Sequence, residues 1–162
     1  MMPVILAAAC LPRLATAAFV DNFRDWNLYV HQDGQGKVCY IASVPTKGDG
    51  NYSRRGPAAV LVAKLPSAPP NEQVSVQPGY TYLKGSTVEL TVDNRTWELF
   101  TQGEHAWAKT GEDDTAIVKA LQRGRVLTVK GTSAKQTWSL DTYSLNGFTA
   151  AYQAMLEACK RG

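Results

Sequence analysis

The sequence predicts a mostly-β fold, a single-domain antiparallel β-sandwich or curled sheet with two helices at about 112–123 and 148–159. Three observations carry this. Short apolar segments recur along the chain, several of them alternating with polar residues, and turn-forming residues separate them. Only two segments show helical spacing. Helices and strands do not alternate regularly, which argues against a doubly wound parallel sheet.

In chain order, Trp26 to Val30 reads as the first strand. Val38 to Val44 follows and is apolar on both faces, as expected of a central strand. Ala58 to Leu65 is a third. Val74 and Val76 alternate with Ser75 and Gln77, and Val88, Leu90 and Val92 alternate with Glu89, Thr91 and Asp93, as in half-buried strands. Asp93-Asn94-Arg95 has hairpin-turn chemistry, because Asp and Asn tolerate positive φ, and Trp97 to Phe100 forms the return arm. His105 to Ala108, Val126 to Lys130 and Trp138 to Leu145 complete the strands. The four tryptophans fall in strand-like segments, where core packing is the expectation.

Thr110-Gly111-Glu112-Asp113 resembles a capping box, with acids at the positive end of the first helix. Ile117, Ala120 and Leu121 form its apolar stripe, and Gly124 is its stop. In the second helix Phe148, Ala151, Tyr152, Met155 and Cys159 share one face.

Val4 to Leu11 is apolar and is followed by Ala15-Thr16-Ala17-Ala18, a small-x-small pattern. This predicts a cleavable signal peptide over 1–18 and a mature domain over 19–162. The apolar stretch is too short to span a bilayer. Cys10 falls within the signal, leaving Cys39 and Cys159. Export to an oxidising compartment predicts one disulfide between them, linking a central strand to the inner face of the last helix. Two buried free thiols are the alternative. Hydrophobic residues at 44% and charged ones at 19% describe an ordinary globular chain. Loss of Arg13 lowers the formal charge from +3 to +2, too small a bias to predict a nucleic-acid partner.

Several stretches are distinctive: C-Y-I-A-S-V-P at 39–45, V-S-V-Q-P-G-Y at 74–80, L-F-T-Q-G-E-H-A-W-A at 99–108, V-K-G-T-S at 129–133 and D-T-Y-S-L-N-G-F-T-A-A at 141–151. Through them the chain resembles the invasion-associated locus B family of exported bacterial proteins. The resemblance implies a periplasmic or secreted binding or accessory protein with a retained disulfide and an envelope or extracellular protein partner. It implies no enzymatic activity, and a contribution to host-cell invasion in some relatives. It also implies a basic, Gly-containing turn after Ser133, where this chain has Ala134-Lys135-Gln136. Read physically, D-T-Y-S-L-N-G-F is a strand-to-helix joint, with Ser144 or Asn146 as cap and Gly147 permitting the turn. A binding role for exposed Asp141 or Tyr143 is the alternative.

His31 and His105 are the only histidines, so no metal site and no cofactor is predicted. There is no G-x-S-x-G, and Ser133, Ser139 and Ser144 lie in ordinary strand or turn contexts. His105 with Asp113 or Asp114 is too common a pairing to assign catalysis, so no catalytic residue is assigned. Gly48-Asp49-Gly50 lacks the Lys-Ser/Thr of a P-loop. The long polar loop from Pro45 to Pro57 carries Tyr52, Arg54 and Arg55, the candidate partner-binding residues. Two other readings stay open, a hydrolase of an envelope polymer and a carrier for a small apolar ligand held between sheets.

Overall fold

The computed structural model describes residues 17–160. The expected signal peptide lies almost wholly outside them. Eleven strands and two helices follow in the order β1 (Ala18–Phe23), β2 (Trp26–Asp33), β3 (Gly36–Ser43), β4 (Lys47–Gly50), β5 (Ala59–Lys64), β6 (Glu72–Gln77), β7 (Thr87–Val92), β8 (Arg95–Gln102), β9 (His105–Trp107), α1 (Gly111–Arg123), β10 (Val126–Thr132), β11 (Trp138–Ser144) and α2 (Phe148–Lys160). They form one antiparallel sheet in the order β1-β2-β3-β5-β6-β9-β8-β7-β10-β11-β4.

Of the two predicted architectures this is the curled sheet. The alternation of each strand assigns an inner face: Cys39 and Ile41 in β3, Val60 and Val62 in β5, Val88, Leu90 and Val92 in β7, Leu127 and Val129 in β10. These side chains join one core that also takes Ile117, Val118 and Leu121 from α1 and Phe148, Ala151 and Met155 from α2. The curl brings opposite ends of the sheet together. The indole Nε1 of Trp26, at the start of β2, donates to the carbonyl of Ser144 at the end of β11 at 3.0 Å. Its ring meets Phe148 edge-on at 4.9 Å. The chain leaving β3 crosses the same gap, and Thr46 N–H donates to the carbonyl of Thr142 at 2.8 Å.

The first helix begins as its sequence requires. Thr110 Oγ1 accepts from Asp113 N–H at 3.1 Å, and Gly124 follows the last turn. The joint before α2 is held by Ser144, whose Oγ accepts from Asn146 N–H at 3.1 Å. Gly147 sits at φ +88°, and a Cβ there would lie 1.9 Å from the carbonyl oxygen of Phe23, so only glycine fits. A disulfide joins Cys39 to Cys159 across 120 residues and pins α2 to β3.

Three expectations need correction. The loop from Pro45 to Pro57 is not loop throughout, because its first part is the edge strand β4. β1 adds a strand before the first one predicted. Of the four tryptophans Trp26 is buried, but Trp138 is 41% exposed, because its neighbour Ser139 takes the inward side of β11.

Candidate functional site

The segment after β3 has its course set by backbone pairing. β4 runs antiparallel to β11, with Lys47 opposite Thr142 and Gly50 opposite Ser139. Asn51 then clamps β11: its Oδ1 accepts from Trp138 N–H at 2.7 Å and its own N–H donates to the Trp138 carbonyl at 3.3 Å. At the far end Gly56 N–H donates to the carbonyl of Gly79 at 2.8 Å. Gly79 has φ +80°, and a Cβ on it would lie 2.2 Å from the Gly56 carbonyl oxygen, so the close approach of these two segments requires glycine.

Between these clamps Arg55 turns inward. Its Nη2 donates to Asp141 Oδ1 at 2.5 Å, and the two side chains are only 10% and 3% exposed. Its guanidinium carbon lies 4.8 Å from the centre of the Tyr52 ring, within cation–π range. Burial disfavours the charge on Arg55, but the hydrogen bond and charge of Asp141 outweigh it and hold the guanidinium more firmly protonated than an ordinary arginine. Burial raises the Asp141 carboxyl above its ordinary range, and Arg55 opposes that rise. Around the pair, Tyr80 OH and Ser139 Oγ share a hydrogen bond of 2.5 Å. The hydroxyls of Tyr82 and Tyr143 and the Nη1 of Arg55 are buried without a protein partner.

Facing this segment is the turn between β10 and β11. Ser133 N–H donates to the Thr137 carbonyl at 2.8 Å, and Ser133 Oγ accepts from Lys135 N–H at 3.2 Å. Gln136 adopts φ 63°, which reverses the chain. A cavity of about 260 Å³ lies between turn and loop, walled by residues that include Tyr52, Arg54, Arg55, Tyr80, Ser133 and Lys135.

The three predicted partner-binding residues therefore separate. Arg54 is exposed and makes no ion pair among the described residues. Tyr52 is half-buried, with its ring against the Arg55 guanidinium. Arg55 belongs to an internal ion pair, so its presence in the loop is first a matter of stability. Asp141 and Tyr143, considered above as exposed binders, are 2% and 0% exposed, which leaves D-T-Y-S-L-N-G-F as a folding joint. The sequence reading names Lys135 only as part of the turn after Ser133; that this turn faces the loop is not legible there, because the two lie far apart in the chain. One usable signal was the inward phase of Asp141 between Ser139 and Tyr143: a carboxylate on the core side of a strand demands a cation.

Among the described residues no hydrogen bond or ion pair joins His105 to Asp113 or Asp114. The His105 ring stacks on Trp107 at 5.3 Å, and Asp114 Oδ1 accepts from the backbone N–H of Val74 at 2.9 Å. Among the described residues no group of three or more His, Cys, Asp or Glu could hold a metal ion. Nor is any helix among them long and apolar enough to cross a membrane.

The model of the invasion associated locus B (IalB) protein family matches residues 26–156. The crystal structure of invasion associated protein B from Bartonella henselae superposes with a TM-score of 0.61 at 19% identity, covering 88% of this chain and 99% of that one. None of the curated proteins matches. At this identity the superposition speaks for the fold, while the family match spans both walls of the curl, the loop, the facing turn and most of α2. The chain belongs to the invasion associated locus B family.

Proposed function

We propose that this chain is an exported envelope protein that acts by binding, not by catalysis, with a recognition surface formed by Arg54 and Tyr52 of the loop and Lys135 of the facing turn. The observation that carries the reading is an exposed, unpaired cation on a segment whose backbone is fixed at both ends. A clamped loop loses little conformational entropy on binding, and Arg and Tyr are favoured contact residues. Export is supported by the Cys39–Cys159 disulfide, which suits an oxidising compartment, and by the signal pattern over 1–18. Cleavage after Ala18 would leave all of β1 but its first residue at the start of a mature domain over 19–162. The partner class in this reading is an envelope or extracellular protein. The carrier reading has less support, because Trp26, Tyr143, Phe148 and Met155 fill the space inside the curl.

The test is affinity capture from the native envelope by the wild type and by Arg54→Ala. The reading expects one stoichiometric partner, lost in the variant while the melting temperature stays the same. Equal capture by both proteins would remove the loop from the account.

A further inference from the structure

We infer that the cavity between the loop and the Ser133–Thr137 turn is a site for a single phosphate-like oxyanion, as carried by a phosphate monoester. The inference rests on the binding reading above and supplies its chemistry. Three cations line or rim the cavity, Arg54, Arg55 and Lys135, and only Asp141 offsets them, which leaves an excess of two positive charges. A phosphate monoester carries about −1.5 to −2 at neutral pH, which matches. Neither Arg54 nor Lys135 is in an ion pair among the described residues. Arg55 adds a second, independent observation. Its side chain is nine-tenths buried in the cavity wall, Nη2 is occupied by Asp141, and Nη1 has no partner. Nη1 is shielded from solvent, so Arg55 acts on the cavity through its charge, which an anion there meets across a wall of low dielectric.

The remaining lining fits an oxyanion as well. Ser53 and Thr81 add polar residues to the wall, while the Tyr80 phenol and the Thr137 hydroxyl there are already engaged by Ser139 and Ser133. The volume of about 260 Å³ exceeds that of one water, about 30 Å³, several-fold, so a phosphate group and its first substituent atoms fit. Asp141 fixes the guanidinium in place and keeps the excess charge at two, which disfavours larger polyanions.

The probe is inorganic phosphate, titrated into the mature protein and followed by amide and arginine Nε–H NMR shifts, with chloride and acetate at matched ionic strength as controls. Saturable shifts are expected at Thr81, Ala134, Lys135 and the Arg55 side chain. Arg54→Ala and Lys135→Ala, both at exposed positions, should each weaken phosphate at least about tenfold with an unchanged melting temperature. Vesicles containing phosphatidic acid distinguish the sources. Co-sedimentation blocked by free phosphate assigns a lipid headgroup, and phosphate saturation without co-sedimentation assigns a soluble ester. Shifts that chloride reproduces, or variants that bind phosphate as well as the wild type, overturn the site. If phosphate fails while Arg54→Ala still loses its protein partner, the anion chemistry is wrong and the binding reading survives.

Discussion

Replacing Arg55 with Ala should be among the most damaging single changes in this protein, although the residue sits in a polar, Gly-rich loop. The substitution removes the cation from a carboxylate that is only 3% exposed on the inner face of β11. Breaking a buried ion pair from one side costs about 3–5 kcal/mol, because the remaining charge stays desolvated. A domain of this size has about 5–15 kcal/mol to lose. At roughly 2–4 °C per kcal/mol, the melting temperature should fall by about 6–20 °C at neutral pH. The sign of the pH dependence follows from Asp141. Burial raises its carboxyl, and Arg55 is the group opposing that rise, so the variant carboxyl titrates higher still. A folded-state value above the unfolded one gives stability that is present below about pH 3.9 and lost as pH rises through the folded value. The deficit of Arg55→Ala should therefore shrink on acidification towards pH 4. Asp141→Asn in the same background should recover part of the loss, and calorimetry of the two single variants and the double variant gives the coupling. A fall of under 2 °C for Arg55→Ala, or a deficit indifferent to pH, would refute the buried-pair account.

Two further outcomes follow from the same structure. Reducing the Cys39–Cys159 bridge opens a loop of 120 residues and should cost about 4–5 kcal/mol in the chain-entropy limit, read as a lower melting temperature in strong reductant; an unchanged value would remove the bridge as the anchor of α2. Burial pushes the phenols of Tyr82 and Tyr143 well above their usual range, so their stabilising share is intact below about pH 10 and lost as pH climbs beyond it, at about 1.4 kcal/mol per pH unit for each. Tyrosinate absorbance from these two should appear together with loss of circular dichroism, and ionisation in an intact fold would contradict their burial.

Much of the fold was legible because strand phase and helix phase are local. The alternation of Val88, Leu90 and Val92 assigned β7 and its inner face, and the Thr110 cap located α1. β4 was illegible because Lys47-Gly48-Asp49-Gly50 has no apolar phase; it is a strand only because β11 offers an unpaired edge. β1 is exposed along most of its length and sits at the opposite edge, so burial left little pattern in its residues. The site was half legible. Loop polarity pointed to Tyr52, Arg54 and Arg55, but which arginine faces out depends on Asp141, 86 residues away. Lys135 reaches the same cavity only through the β10–β11 turn.

The central claim is that recognition occurs at the face shared by Arg54 and Lys135. A photo-cross-linking residue placed at position 54, at 135, and at exposed Val126 as a control, in the native cell envelope, tests it most directly. The account predicts one common adduct from positions 54 and 135 and none from 126. Adducts that are absent from both, or shared equally with the control, would contradict it.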